Sequence, residues 1–178
     1  VQSGFGRLGD QMWAYQDDAV VPDIVTMGKP MGNGHPVSAL LTHRELIESL
    51  DQAYNGNSYF NTFGGNPVSA AAALSVLDII EEDSLIDQAG QVGDYLKKQL
   101  RNTLQNKESV VEIRGKGLFL GIELDDPSKT AKTMEEMMRQ GVLVGKTGPT
   151  NSVIKLRPSM TFKKEHADLL VEKLNQCL

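Results

Sequence analysis

The 178-residue chain has a single cysteine, Cys177, so no disulfide can form within it, and a reducing, cytoplasmic setting is the expectation. Histidine is almost as scarce: His35, His43 and His166 lie far apart, without the spacing of metal ligands. Positive charge is in short supply too. The 18 Lys and Arg face 23 Asp and Glu, a net charge of −5 that argues against nucleic acid as a partner. No apolar run approaches the roughly 20 residues of a membrane-spanning helix, so no membrane association is expected. There is no internal repeat and no low-complexity segment. What is present is the composition of a packed domain, 40% hydrophobic and 23% charged.

Hydrophobic periodicity predicts helices over 43–50, 68–82, 85–105, 130–140 and 163–177. Within 85–105, Leu85, Ala89, Val92, Leu96 and Leu100 follow a period near 3.6. Short apolar runs predict strands over 24–26, 110–114, 118–124, 142–144 and 153–156. Two familiar phosphate-binding patterns fail in context. Gly4-Phe5-Gly6-Arg7-Leu8-Gly9 satisfies the bare G-x-G-x-x-G pattern, but no helix is predicted to open behind it, so a dinucleotide site is not expected. Gly145-Lys146-Thr147 copies the end of a P-loop, yet the position of its first glycine is Gln140.

Lys29 is the most informative residue. It sits in Met27-Gly28-Lys29-Pro30-Met31-Gly32-Asn33-Gly34-His35, directly behind the short run Ile24-Val25-Thr26. A lysine amine that must add to a carbonyl has to be partly deprotonated near neutral pH, which requires a desolvated or cation-flanked site. Glycines let a backbone and a ligand approach closely. The spacing alone equally describes a β-turn that carries a lysine. Further on, Thr62 precedes Gly64-Gly65 and a predicted helix, a setting that suits a phosphate. Taken alone, that stretch also reads as a capped turn.

Four blocks in order are similar to the class-III (ω-aminotransferase) branch of fold-type I pyridoxal phosphate enzymes. They are Val1-Gln2-Ser3-Gly4-Phe5-Gly6-Arg7 with Trp13, the Lys29 stretch from Pro22 to Pro36, Asn61-Thr62-Phe63-Gly64-Gly65-Asn66-Pro67, and Ile113-Arg114-Gly115-Lys116-Gly117-Leu118-Phe119-Leu120-Gly121-Ile122-Glu123. The wording around Lys29 most resembles the branch with alanine–glyoxylate aminotransferase 2 and the ethanolamine-phosphate phospho-lyases. The resemblance implies pyridoxal 5'-phosphate (PLP) as cofactor, small-molecule amine and keto-acid or aldehyde substrates, and a homodimer. It implies that Lys29 forms a Schiff base (aldimine) with PLP and then serves as the base for the substrate Cα proton. Val1 would pack on the cofactor ring, Gln2 would reach its 3-hydroxyl, and Thr62 would donate to its phosphate across the dimer interface.

The family also places an Asp-Glu pair directly before Val-Gln, with a glycine-rich phosphate loop further upstream. The chain therefore resembles the C-terminal part of a longer enzyme and is expected to be inactive alone. At the substrate end it departs from the pattern. The family's carboxylate-gripping Arg, three residues before a proline, corresponds to Lys155 in Lys155-Leu156-Arg157-Pro158. Lys155 and Arg157 are the candidate substrate-binding residues, with Arg157 read as facing away from Lys155. A lysine offers a point charge rather than a bidentate fork, which fits a phosphorylated amine and keeps a phospho-lyase activity open beside transamination. A solvated strand-edge lysine is as good a reading from sequence, and a non-catalytic fold or dimerisation module is the third possibility.

The implied fold class is a partial α/β PLP-transferase fold: residues 1–66 as a remnant of the large cofactor domain, and residues 67–178 as a connecting helix with a small α+β domain. The helices 68–82, 85–105, 130–140 and 163–177 are expected on one face of a sheet made from 110–114, 118–124 and 153–156. Phe5, Phe60 and Phe63 are expected to lack cover.

Overall fold

The computed structural model describes residues 2–18, 20–56 and 59–178. The chain forms two compact units. One comprises Val1–Phe5 and Trp13–Asp83, the other Gly6–Met12 and Ser84–Leu178. The sequence suggested a division after Asn66; by packing, the main division falls after Asp83, and a short N-terminal segment joins the second unit.

In the first unit, β1 (Ile24–Met27) pairs antiparallel with β2 (Ala39–Thr42), Ile24 opposite Thr42 and Met27 opposite Ala39. The second of these strands was not expected. Its Ala39-Leu40-Leu41-Thr42 run is short and leads straight into α1 (Arg44–Ala53) without a breaker. Helix α2 (Pro67–Glu82) starts sharply because Asn66 caps it, its side chain accepting from the backbone N–H of Val68 at 2.8 Å and Ser69 at 3.2 Å. Pro67 occupies the first turn, where no N–H is needed.

The second unit contains α3 (Leu85–Leu104), β3 (Val110–Lys116), β4 (Phe119–Leu124), α4 (Pro127–Arg139), β5 (Gly145–Thr147), β6 (Val153–Leu156) and α5 (Lys164–Cys177). Its sheet has the order β3-β4-β6-β5 and is antiparallel throughout. Leu120, Ile122 and Leu124 alternate onto one face of β4 and are buried there with Ile154 and Leu156 of β6. Leu96, Leu100 and Leu104 of α3, Met137 of α4, and Ala167, Leu170 and Leu174 of α5 complete that core. Each such leucine contributes roughly 1.5–3 kcal/mol by leaving water.

Three differences from the sequence reading have physical causes. Helix α2 belongs to the first unit, where it packs against the turn at Lys29–Gly32, so only α3, α4 and α5 build the core of the second unit. Residues 142–144 are not a strand. The Val142 N–H is spent on the Met137 carbonyl at 2.9 Å, closing α4 behind Gly141 (φ 81°), so strand pairing begins only at Gly145. Phe5 is buried, at 5% exposure, with Trp13 edge-on at 4.9 Å between ring centres, whereas Phe60 (89%) and Phe63 (80%) are open.

Candidate active site

Lys29 stands where β1 has just ended. Gly28 is buried and extended, and Lys29 takes φ 50°, the left-handed region. Pro30 disfavours the right-handed helical region for the residue before it, and closure of the turn, not the proline, keeps Lys29 out of the extended region. Holding a lysine there costs about 1–3 kcal/mol. The turn is secured by its own backbone: Met31 N–H donates to Gly28 at 3.3 Å, Asn33 N–H to Pro30 at 3.0 Å, and His35 N–H to Gly32 at 2.9 Å. His35 Nε2 and Ser69 Oγ lie 2.9 Å apart, tying the turn to α2. A cleft of about 110 Å³ opens beside Gly28, lined among others by Ser3, Phe5, Trp13 and Val25. The Lys29 side chain itself is exposed in this chain, where the sequence led to the expectation of a desolvated or cation-flanked site.

Gln2, half-buried, and Thr62, exposed, belong to the same unit as Lys29. Val1 lies outside the described residues. Thr62 opens a turn in which Asn61 Oδ1 accepts from Phe63 N–H at 2.9 Å and Gly65 takes φ 70°. Because Asn66 already caps α2, the Thr62 hydroxyl is not used as a helix cap.

Lys155 and Arg157 belong to the second unit. Lys155 is half-buried in β6, and its partners across both neighbouring strands are glycines, Gly121 and Gly145. A Cβ on Gly145 would come within 3.3 Å of Lys155 Cε, so the lysine occupies space its neighbour leaves free. Arg157 lies one residue beyond the end of β6 and is exposed. The two residues line one cavity of about 550 Å³, together with Leu143, Phe162, His166 and Leu169, and no acidic residue lines it. Expecting them on opposite sides was an error: residues two apart on an extended chain share a face.

Residues 3–10 form consecutive turns and bends, and the next regular element is a 3-10 turn at Ala14–Asp18, so the glycine pattern there opens no helix toward a pyrophosphate. The P-loop-like tripeptide is strand β5. What sequence reasoning missed is that Gly6–Met12 packs into the second unit. Asp10 pairs with Lys116 at 2.5 Å, Leu118 N–H donates to the Arg7 carbonyl at 3.0 Å, and Gly9 lies so close to Gly90 that a Cβ on it would be 2.3 Å from Gly90 Cα.

A family model described as Aminotransferase class-III matches residues 1–178. The chain belongs to this family. It is 44% identical over 183 residues to the alanine–glyoxylate aminotransferase 2 homolog 2, mitochondrial, of Arabidopsis thaliana, covering 98% of this chain and 37% of that protein. It is 39% identical over 189 residues to ethanolamine-phosphate phospho-lyase homolog 1 of Caenorhabditis elegans, covering 100% of this chain and 40% of that protein. Among solved structures, a phospholyase from Arthrobacter in complex with phosphoethanolamine is 45% identical with a TM-score of 0.92, covering 99% of this chain and 43% of that one. The chain thus spans about two-fifths of the length of the relatives it matches. Its architecture is part of the fold-type I aminotransferase fold. Among the described residues no helix of this class-III chain is long and apolar enough to cross a membrane.

Proposed function

We propose that the chain carries the reactive lysine and part of the substrate site of a PLP-dependent aminotransferase, which moves an amino group between a small amine and a keto acid or aldehyde. The observation that carries this reading is Lys29, held left-handed between a buried glycine and a proline at the end of β1, in a chain matched throughout by the class-III family. The donor set suits PLP: a primary amine for its aldehyde, the Gln2 amide for its ring oxygen, and the Thr62 hydroxyl for its phosphate. Val1, by the same family resemblance, packs on the ring. Pyridoxal phosphate, when bound, supplies the electron sink for the pair left at a substrate carbon. Lys29 would hold the cofactor through Nζ, and its amine, when free, would take the substrate's Cα proton and return it. Lys155 and Arg157 attract the substrate's anionic end; the acid-free lining of their cavity supports that role.

A homodimer is part of the same proposal. Exposed Phe60 and Phe63 bracket Thr62, and a second copy covering them would bring Thr62 to the partner's cofactor. A cytoplasmic setting rests only on the single cysteine, and one relative is named mitochondrial. The decisive experiment is Lys29→Ala with borohydride trapping, made in the full-length protein. Borohydride should fix the cofactor to the Lys29 peptide in the parent protein, and the variant should lose turnover by at least about 10²–10⁴-fold, the usual worth of a positioned proton carrier. Substantial residual turnover would remove Lys29 from the mechanism.

A second reading is supported by Lys155, where the family pattern has arginine, and by the likeness to the Arthrobacter phospholyase. In it the substrate is a phosphorylated amine such as phosphoethanolamine, and phosphate leaves instead of an amino group being transferred. Phosphate release without a keto acid favours this reading; amino transfer that depends on a keto acid favours the first.

A further inference from the structure

We propose that Arg7 is a positioning residue for substrate specificity: it fixes the turn that follows β6 and thereby aims Arg157, beside Lys155, at the anionic group of the substrate. The inference rests on the reading above, in which those two residues take up that group. The turn after β6 has no regular structure of its own from Arg157 to Lys163. One bond closes it from within, Phe162 N–H to the Ser159 carbonyl at 3.1 Å, and the carbonyls of Pro158, Met160 and Phe162 are held from outside. Arg7 Nη1 donates to the Pro158 carbonyl at 2.5 Å and reaches the Leu118 carbonyl at 3.4 Å, while Gln88 Nε2 donates to Met160 at 3.0 Å. A charged donor to a backbone carbonyl is the stronger kind of hydrogen bond, so Arg7 is the principal clamp on the residue next to Arg157.

The clamp is itself fixed. The Arg7 carbonyl accepts from Leu118 N–H at 3.0 Å, and Gly117 lies so close beneath the neighbouring residue that a Cβ on it would be 2.5 Å from the Leu8 carbonyl carbon. Arg7 therefore has little freedom to follow if the turn moves. It also acts by its charge. Burial first, and then the nearby Arg157 cation, pull the Arg7 guanidinium below its ordinary pKa, although it stays protonated at neutral pH. The Arg7 and Arg157 cations act on each other, and together they add to the positive potential at the cavity that Arg157 lines, which has no acidic residue in its lining among the described residues.

The test is a kinetic comparison of Arg7→Met and Arg7→Lys in the full-length protein, with an anionic amine (phosphoethanolamine or an α-amino acid) and a neutral amine as paired substrates. Arg7→Met should raise KM for the anionic amine by about ten-fold, the order of one charged hydrogen bond, and leave kcat and the neutral amine within about two-fold. Arg7→Lys, which keeps the charge and one donor, should recover most of that loss. The absorbance of the lysine-bound cofactor should be unchanged in both variants. Equal losses for anionic and neutral amines, or no recovery by lysine, would reduce Arg7 to a folding residue and overturn the proposal. Lys155→Met separates this from failure of the underlying reading. If it leaves KM for the anionic amine unchanged, the anion site itself is misassigned. If it raises KM while Arg7→Met does not, only the role of Arg7 falls.

Discussion

Lys29 shows how much a single residue can reveal before any fold is known. Its turn of glycines and a proline was visible in the sequence, because those residue types limit backbone conformation locally. The left-handed φ was not, since it depends on where Gly28 is buried and on the turn closing through the Asn33 and His35 amides. The strain should be measurable. Lys29→Gly is expected to raise the denaturant midpoint, by about 1 kcal/mol in unfolding free energy, while activity disappears. A drop in stability would mean that the lysine side chain, not its backbone, is what the turn depends on. Arg7 is the opposite case. Nothing near it in sequence marks its partners, Leu118 and Pro158, which are 111 and 151 positions away.

Elements with one strong periodic face were legible to within a few residues. Helix α3 was legible from the period that runs from Leu85 through Leu96 and Leu100, because burial of one face selects that period, and β4 as a short apolar run whose alternation of Leu120, Ile122 and Leu124 the structure shows. Strand β5 was misplaced since Val142 and Val144 are apolar for a different reason: they pack against the core while leaving helix α4. Helix α4 also makes a pH-dependent prediction. Its N-cap Asp126 accepts from the backbone N–H of Ser128 at 2.7 Å, and that hydrogen bond, foremost, holds the carboxyl below its ordinary value. A pKa lowered in the folded state contributes stability at neutral pH that is lost as the pH falls through the folded value. Asp126→Asn keeps an acceptor without the charge. Unfolding midpoints measured from neutral to acid pH should therefore decline less steeply in the variant than in the parent.

On the scale of the molecule, the two units are built to different standards. The first has a two-stranded sheet with Leu40 and Leu41 exposed, and two-stranded sheets are marginal without a covering layer. The second has a closed core of three helices on four strands. Amide hydrogen exchange should accordingly be slowest in α3, β4, β6 and α5, and fast in β1 and β2. Strongest protection in β1 and β2 would show that the first unit finds cover that its exposed leucines do not suggest. The family blocks, not the periodicity, made the overall architecture readable. The membership of Gly6–Met12 in the second unit stayed hidden because packing between distant backbones leaves only glycines, Gly9, Gly90, Gly93 and Gly117, as its trace.

Those glycines have a consequence for biosynthesis. A ribosome releases residues 6–12 long before α3 and the turn between β3 and β4 exist to receive them. The fit is too close for a substitute: a Cβ on Gly93 would sit 2.3 Å from the Gly117 carbonyl. The segment must wait for its partners while the 151 positions between Arg7 and Pro158 are made, and Arg7 finds the Pro158 carbonyl only after residue 158 has emerged. Such late closure of a long loop leaves residues 6–12 among the last of this unit to be secured, although they precede the rest of it in the chain.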